Sequence, residues 1–347
     1  MIECCITKTK MTERSTCAHV NKHIVPICRN ALVDWMLMNK CKAYKPRFQF
    51  CQTADHMAAL QAWGTLHSND HWVDALMADE VWFYLVDLKG KYYLLPEIFA
   101  LNLVSRDALN YAVESRGNIT KLMYLIVCAR PRPEYGFDGK IGCYPVAEWT
   151  QAIRNSVNRP AGTWLITPRS MDAPMYYQMM RDLVAPDIVK KMNWIDPRGP
   201  RHIRWQDDNA SSHCQRSMID RLQGLYDTHI VARMQGVATM SKSAQVPRSP
   251  NVNVLDLGVN RSLGSAVSKL PKKTMRELHA VVMASWASFC PLKMDRLFAL
   301  VTCNAKVYAA SGGRRKRNPS VKLRAAQLKD RLWDRVDEWE PEYKDLC

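Results

Sequence analysis

Apolar and polar positions change rhythm along the chain, and each rhythm predicts an element. In HIVPICRNALVDWMLMNK, Ile27, Ala31, Leu32, Trp35 and Met38 recur at helical spacing. Residues 1–45 therefore read as a small helical unit, either part of a helix-turn-helix or an amphipathic helix packed on the main body. Pro46 interrupts it, and FQFCQTADHMAALQAWGTL predicts a further helix, so 46–73 reads as a helical linker. From about residue 74 strand-like texture takes over. ADEVWFYLVDLKGKYYLLPE holds two runs of aromatic and β-branched residues around Lys89-Gly90-Lys91, a hairpin signal. ITKLMYLIVCARP is continuously apolar, as expected of a strand buried on both faces. GFDGKIGCYP then predicts a turn and short strand, APMYYQMMRDLVAPDIVKKM a helix, and HIRWQDDNASSH a strand ending in acidic and turn residues. CQRSMIDRLQGLYD reads as helix and HIVARMQ as strand; beyond a Pro/Ser/Asn loop, LDLGVNRSLGSAVSKL and TMRELHAVVMASWASF read as helices. Strands first, then alternation, predict an α/β fold over 74–300: a mixed sheet flanked by helices.

Composition narrows the partners. The chain has 347 residues, 47% of them apolar and 24% charged, enough to bury a large core and too apolar for whole-chain disorder. No uncharged apolar run approaches the roughly 20 residues of a membrane span, so no membrane partner is expected. The N-terminus, MIECCITKTKMTER, has no apolar stretch of the secretory kind. Lys and Arg number 49 against 33 Asp and Glu, a net charge of +16, which suits a polyanion such as nucleic acid and equally a basic enzyme with small substrates. The surplus peaks in 306–331, with nine Lys or Arg against one Asp. There SGGRRKRNPS presents Arg314, Arg315, Lys316 and Arg317, either a solvated loop or a patch for DNA contact and nuclear import. Residues 301–347 read as this basic tract followed by a charged helix, LKDRLWDRVDEWEPEY. The 12 cysteines form no CxxC spacing, which predicts free thiols in an intracellular protein rather than a disulfide framework.

Three acidic positions carry candidate chemistry. Asp79 opens the strand-like DEVWFYL, Asp208 closes IRWQDDN, and Asp256 stands in NVLDLG at a helix start. Carboxylates at strand ends and helix starts can converge on one edge of a sheet, where they would repel unless cations lay between them. Mg²⁺ or Mn²⁺ suits such oxygen donors, and two ions about 4 Å apart support in-line phosphoryl displacement. On pattern alone, ordinary capping at strand ends and helix N-termini is the stronger account of the same residues.

Four blocks resemble mariner-type transposases, closest to the plant and oomycete branch. DEVWFYLVDLKGKYYLLPE resembles that branch's DEKWFY…YYLLP block, and GFDGKIGCYPVAEWTQAIRNSVNRPAGT its FDGKIG…NRPxGT block. QDDNASSH resembles QDNAxxH, and VPRSPNVNVLDLG resembles PPNSPDxNVLDLG. The blocks keep family order over roughly residues 44–300. The resemblance implies a ribonuclease-H-like core preceded by a helix-turn-helix region, and a D-D-D triad at Asp79, Asp208 and Asp256. Asp207 stands where the family usually has Gln, so Asp208 is the expected ligand. It also implies two Mg²⁺ or Mn²⁺ ions, double-stranded DNA as partner, a homodimer on paired element ends, a nuclear location, and cut-and-paste transposition.

The departures define the alternatives. Val81 replaces a lysine, Asn251 replaces an aspartate, and residues 1–45 leave room for about one helix-turn-helix unit. The gap between Asp208 and Asp256 holds 47 residues, with the excess in MQGVATMSKSAQVPRSP expected to be a loop insertion able to misplace Asp256. SGGRRKRNPS stands where a Gly-Gly-Asn-x-Tyr segment is expected. A competent transposase, a decayed or co-opted remnant that only binds DNA, and an unrelated basic metal-dependent nuclease are all compatible with these features.

Overall fold

Alternation along two strands organises the protein. In β1 (Ala75–Tyr84), Ala75, Met77 and Phe83 enter one hydrophobic core, while Leu76 and Ala78 enter another on the opposite face. In β2 (Lys121–Ala129), Leu122, Tyr124, Ile126 and Cys128 join the first core, and Leu125, Val127 and Ala129 the second. The continuous apolar run of β2 is thus a strand buried on both faces, as expected. The computed structural model of the chain describes residues 52–85 and 120–314 apart from 158, 209, 271 and 273, with isolated helical positions at Ala31, Asp34 and Met38. The helix-turn-helix-like region over 1–45, the turn at Lys89-Gly90-Lys91, the residues Arg315, Lys316 and Arg317, and the final charged helix lie outside the described residues. The chain divides into two units, Met1–Cys51 and Gln52–Cys347, and the sheet with its helices belongs to the second.

Five strands form one mixed sheet, completed by β3 (Lys140–Pro145), β6 (Arg201–Asp207) and β7 (Val237–Ala244), in the order β3-β2-β1-β6-β7. β1, β2 and β3 are antiparallel neighbours; β6 and β7 run parallel to β1. A separate hairpin, β4 (Ala147–Gln151) with β5 (Trp164–Pro168), leaves the sheet after β3. This is the ribonuclease-H-like arrangement: an antiparallel meander extended by two parallel strands.

Helices cover both faces. One side carries α1 (Ala54–His67), α6 (Asn260–Ser268), α7 (Met275–Ala287) and α8 (Pro291–Ala310). The other carries α2 (Ala173–Met179), α3 (Ala185–Met192) and α5 (Arg216–Leu225), with the single-turn α4 (Ser211–Cys214) just after β6. Caps set several starts: Thr53, Asp172 and Thr274 accept from the backbone N–H groups of His56, Met175 and Glu277. α1 packs on α8 closely enough that a side chain at Gly64 would meet the Ala305 carbonyl. Among the described residues no helix is long and apolar enough to cross a membrane.

Two expectations are corrected. HIVARMQ, expected as a strand, instead forms a π-helical turn at Tyr226–Ile230 and a 3-10 turn at Val231–Arg233. Tyr226 and Ile230 are buried four residues apart, a helical spacing that the β-branched residues disguise. MQGVATMSKSAQVPRSP, expected as a loop insertion, contains β7, which pairs with β6 along its length and closes that end of the sheet.

Candidate functional site

Parallel pairing of β1 with β6 brings two acidic positions together. The register matches Ala75 with Arg204, Leu76 with Trp205 and Met77 with Gln206. Two residues further on, Asp79 stands opposite Asp208, immediately past the end of β6. Alternation puts Asp79 on the face of Met77 and Val81, and Glu80 on the face of Leu76 and Ala78. Asp207 follows Ile203 and Trp205 to Glu80's face, while Asp208, just past the strand, touches His213 and lies near enough to Asp79 and Asp256 to raise both.

Asp256 reaches the same place from a π-helical turn, Leu255–Val259, which leads into α6. Its approach is laced to the two strands just below the acidic pair. Gln206 Nε2 donates to the Val252 carbonyl at 2.9 Å, and Asn253 Nδ2 to the Ala78 carbonyl at 3.2 Å. Asn253 Oδ1 accepts from Leu255 N at 3.0 Å, opening the turn. Gly258 completes NVLDLG for a steric reason: a Cβ there would lie 2.8 Å from Leu297 Cδ2 of α8. Asn251 is an anchor, donating to the Tyr308 hydroxyl at 3.2 Å while its carbonyl accepts from Asn304 at 2.8 Å.

The three carboxyls act on one another. Burial, and after it the negative charges of Asp256, Glu80 and Asp208, pushes Asp79 up to about 8. Burial and Asp208 likewise raise Asp256. Asn260, one turn beyond Asp256, donates to Asp79 Oδ2 at 2.7 Å and only partly offsets this. With its value pushed to about 8, Asp79 keeps its proton near neutrality unless a cation lies beside it. The donor set is all oxygen, which suits Mg²⁺ or Mn²⁺.

On the other face burial pushes Glu80 up to about 7, with His213 only partly offsetting it, whereas Asp207 is compensated from within. Asp207, its side chain 3% exposed, accepts at Oδ2 from the Tyr176 hydroxyl at 2.8 Å, Trp205 Nε1 at 3.0 Å and Lys242 Nζ at 3.0 Å. Burial opposes its ionisation, but His213 and Lys242 hold its carboxyl below the ordinary value. Lys242 belongs to β7, so the supposed insertion supplies Asp207's counter-charge. His213 on α4 is fully buried, stacked on Tyr176, with Nδ1 3.1 Å from Asp207 Oδ2 and Nε2 3.1 Å from Asp208 Oδ1. Burial disfavours its charge, yet Asp207 and Asp208 raise it to about 9. Asp208 itself, 47% exposed, is lowered chiefly by His213.

Of the expected site residues, Asp79, Asp208 and Asp256 thus converge, and Arg314 lies exposed beyond the end of α8. The sequence reading misses Glu80, His213, Lys242 and Asn260. Two of these carry a signal: period two sets Glu80 behind Asp79, and an i,i+4 step sets Asn260 beside Asp256.

No family model matches the chain, and no curated protein does. Among solved structures, the pre-cleavage Mos1 transpososome is similar over 91% of this chain and 79% of that one, at 13% identity and a TM-score of 0.55. The Mos1 mariner paired-end complex with Mn covers the same shares at 14% identity and 0.55. The Mos1 strand transfer complex is similar over 89% and 80%, at 12% identity and 0.51. The chain has the fold of a mariner transposase.

Proposed function

We propose that the protein is a DNA transposase of the cut-and-paste type, closest to the plant and oomycete branch of mariner-like enzymes, with Asp79, Asp208 and Asp256 as its D-D-D triad. One observation carries this reading: three carboxyls from separate parts of the chain meet at one end of a mariner-transposase sheet and repel one another there. Asp79, Asp208 and Asp256 would hold two Mg²⁺ or Mn²⁺ ions, which supply an activated water or 3′-hydroxyl and stabilise the leaving oxygen of an in-line displacement. The chain's own part is placement. Asn253 and Gln206 tie the turn bearing Asp256 to both strands, Asn260 orients Asp79, and His213 steadies Asp208. The solved structures with this fold include transposon paired-end and strand transfer complexes, which supports duplex DNA as the partner and a homodimer on paired ends. The positive tract around Arg314, Arg315, Lys316 and Arg317 supports phosphate contact, and a nuclear location follows from that role.

A decayed remnant would differ in activity rather than in DNA affinity. What supports the competent reading in the long Asp208–Asp256 gap is that it contains β7 and Lys242, the partner of Asp207. The test is nicking of a duplex carrying the element's own terminal repeat. Cleavage with Mg²⁺ or Mn²⁺, and binding without turnover with Ca²⁺, is the expected result. Binding without cleavage under either ion leaves the remnant.

A further inference from the structure

We infer that Glu80, Asp208 and His213 form a binding site for a borderline divalent transition-metal ion of the Zn²⁺ class, separate from the pair of ions assigned to the aspartate triad. Their ligand atoms, one carboxylate oxygen each from Glu80 and Asp208 and a His213 ring nitrogen, all lie within 4.8 Å of one another. His213 Nε2 is 3.1 Å from Asp208 Oδ1 and 3.8 Å from Glu80 Oε1. Ligand atoms around a tetrahedral ion with bonds of about 2.1 Å stand roughly 3.4 Å apart, so little movement closes the site.

Two further observations point to a ligand rather than a self-contained acidic cluster. His213 is wholly buried, aims Nε2 at both carboxylates, and neither ring nitrogen makes a well-directed hydrogen bond. Glu80 Oε1 is likewise buried with no hydrogen-bond partner. Behind the ring, Asp207 Oδ2 lies 3.1 Å from Nδ1. A carboxylate there keeps a proton on Nδ1, the usual support for a metal-bound histidine, so an incoming ion displaces only the Nε2 proton and takes that lone pair beside Glu80 and Asp208. Lys242, Tyr176 and Trp205 hold Asp207 in that position. Imidazole selects Zn²⁺ and its neighbours in the first transition row over Mg²⁺ or Ca²⁺.

The site lies on Glu80's face of the sheet and shares only Asp208 with the other face. Zinc bound there would draw Asp208 away from the triad and slow cleavage. That consequence rests on the function proposed above; binding does not. The test is Zn²⁺ titration of the full chain against a chromophoric chelator in excess Mg²⁺, with zinc-edge X-ray absorption on the loaded protein. One equivalent of Zn²⁺ bound through imidazole and oxygen is expected. Glu80→Gln and His213→Gln should each weaken that equivalent by at least about tenfold. Asp79→Asn and Asp256→Asn should retain it. Glu80→Gln decides the matter if His213→Gln does not fold. Unchanged affinity in Glu80→Gln overturns the site, as does equal loss in Asp79→Asn, which would put the ion among the triad. A sulfur shell, from Cys214 or another thiol, overturns it too.

Discussion

At the ends of β1 and β6 two kinds of buried carboxyl stand on opposite faces of the sheet in opposite electrostatic states, Asp79 with Asp256 on one and Asp207 on the other. Asp79, Asp208 and Asp256 meet on one face, and Asp79 and Asp256 are held above their ordinary values by burial and mutual repulsion. One residue along each strand, Glu80 and Asp207 turn to the other face. There Lys242 and His213 supply positive charge, and Tyr176 and Trp205 supply hydrogen bonds. A buried carboxylate given its partners by the protein is part of the structure. A carboxyl left among its own kind is held for something that arrives from outside. Period-two alternation is what separates the two roles, and it selects Asp208 over Asp207 as Asp79's companion.

The largest effect expected from this contrast is catalytic. Asp79→Asn, Asp208→Asn and Asp256→Asn should each cut nicking of the terminal-repeat duplex on the order of 10³-fold or more. Asp207→Asn should keep measurable activity, because Asp207 faces the other way. Equal loss at Asp207 and Asp208 in the same nicking assay would erase the distinction between the faces.

Stability should show the reverse ranking. Asp207→Ala leaves Lys242, with only 8% of its side chain exposed, without its carboxylate. Breaking a buried pair in this way costs about 3–5 kcal/mol. Asp256→Ala removes a repelling charge and should cost little or stabilise. Urea unfolding of the two variants beside the parent chain measures the difference, and similar losses would contradict it.

Much of this is legible in the sequence, and what is not has a physical reason. The triad positions follow from strand ends and a helix start, and β2 from its unbroken apolar run. α8 escapes a reading by pattern because PLKMDRLFALVTCNAKVYAA buries polar side chains, Asp295 against Arg130 and Asn304 against the Asn251 carbonyl, which blurs any amphipathic stripe. β7 resembles a loop because VATMSKSA is an edge strand with only Val237 and Met240 buried. Its contribution to the site is Lys242, whose partner Asp207 is 35 residues away, and local pattern holds no information at that range. His213 is visible in QDDNASSH, but its place between two carboxylates depends on the turn of α4 after β6.

A third contrast is in pH. Asp79 has a folded value near 8 against an ordinary 3.8, so over that window the folded state keeps a proton that the unfolded state has released. Stability in EDTA should therefore fall as pH rises from about 4 towards 8. Asp79→Asn should flatten that limb, and Mg²⁺ at about 100 times its Kd should restore roughly 2.7 kcal/mol. Asp207 has the opposite sign: its depressed value stabilises the fold at neutral pH, and that contribution is lost as pH falls through the folded value. His213, raised to about 9, stabilises fully below its ordinary 6.5 and loses that contribution as pH climbs through 9. Melting temperature against pH, with and without Mg²⁺, separates the three. A Mg²⁺ effect that survives unchanged in Asp79→Asn would detach the ion from that face.

The smallest expected effect is on DNA affinity, and it tests whether the faces differ in what they present to a phosphate. At low salt without divalent ions, the aspartates of the triad face add negative charge where the backbone of bound DNA would lie. Asp208→Asn should therefore bind duplex DNA as tightly as the parent chain or slightly tighter, since removing that charge cannot weaken the electrostatic contribution. Asp207→Asn should tighten binding less, because that carboxyl is buried, 3% exposed against 47% for Asp208, and stands further from a bound phosphate. Arg314→Ala supplies the scale: loss of one phosphate contact lowers the slope of log affinity against log salt by about 1, uniformly across sequences. Fluorescence anisotropy over a salt series reads all three. Tightening at Asp207 equal to that at Asp208 would mean that the bound duplex sees both faces alike, and the division between them would then be one of stability alone.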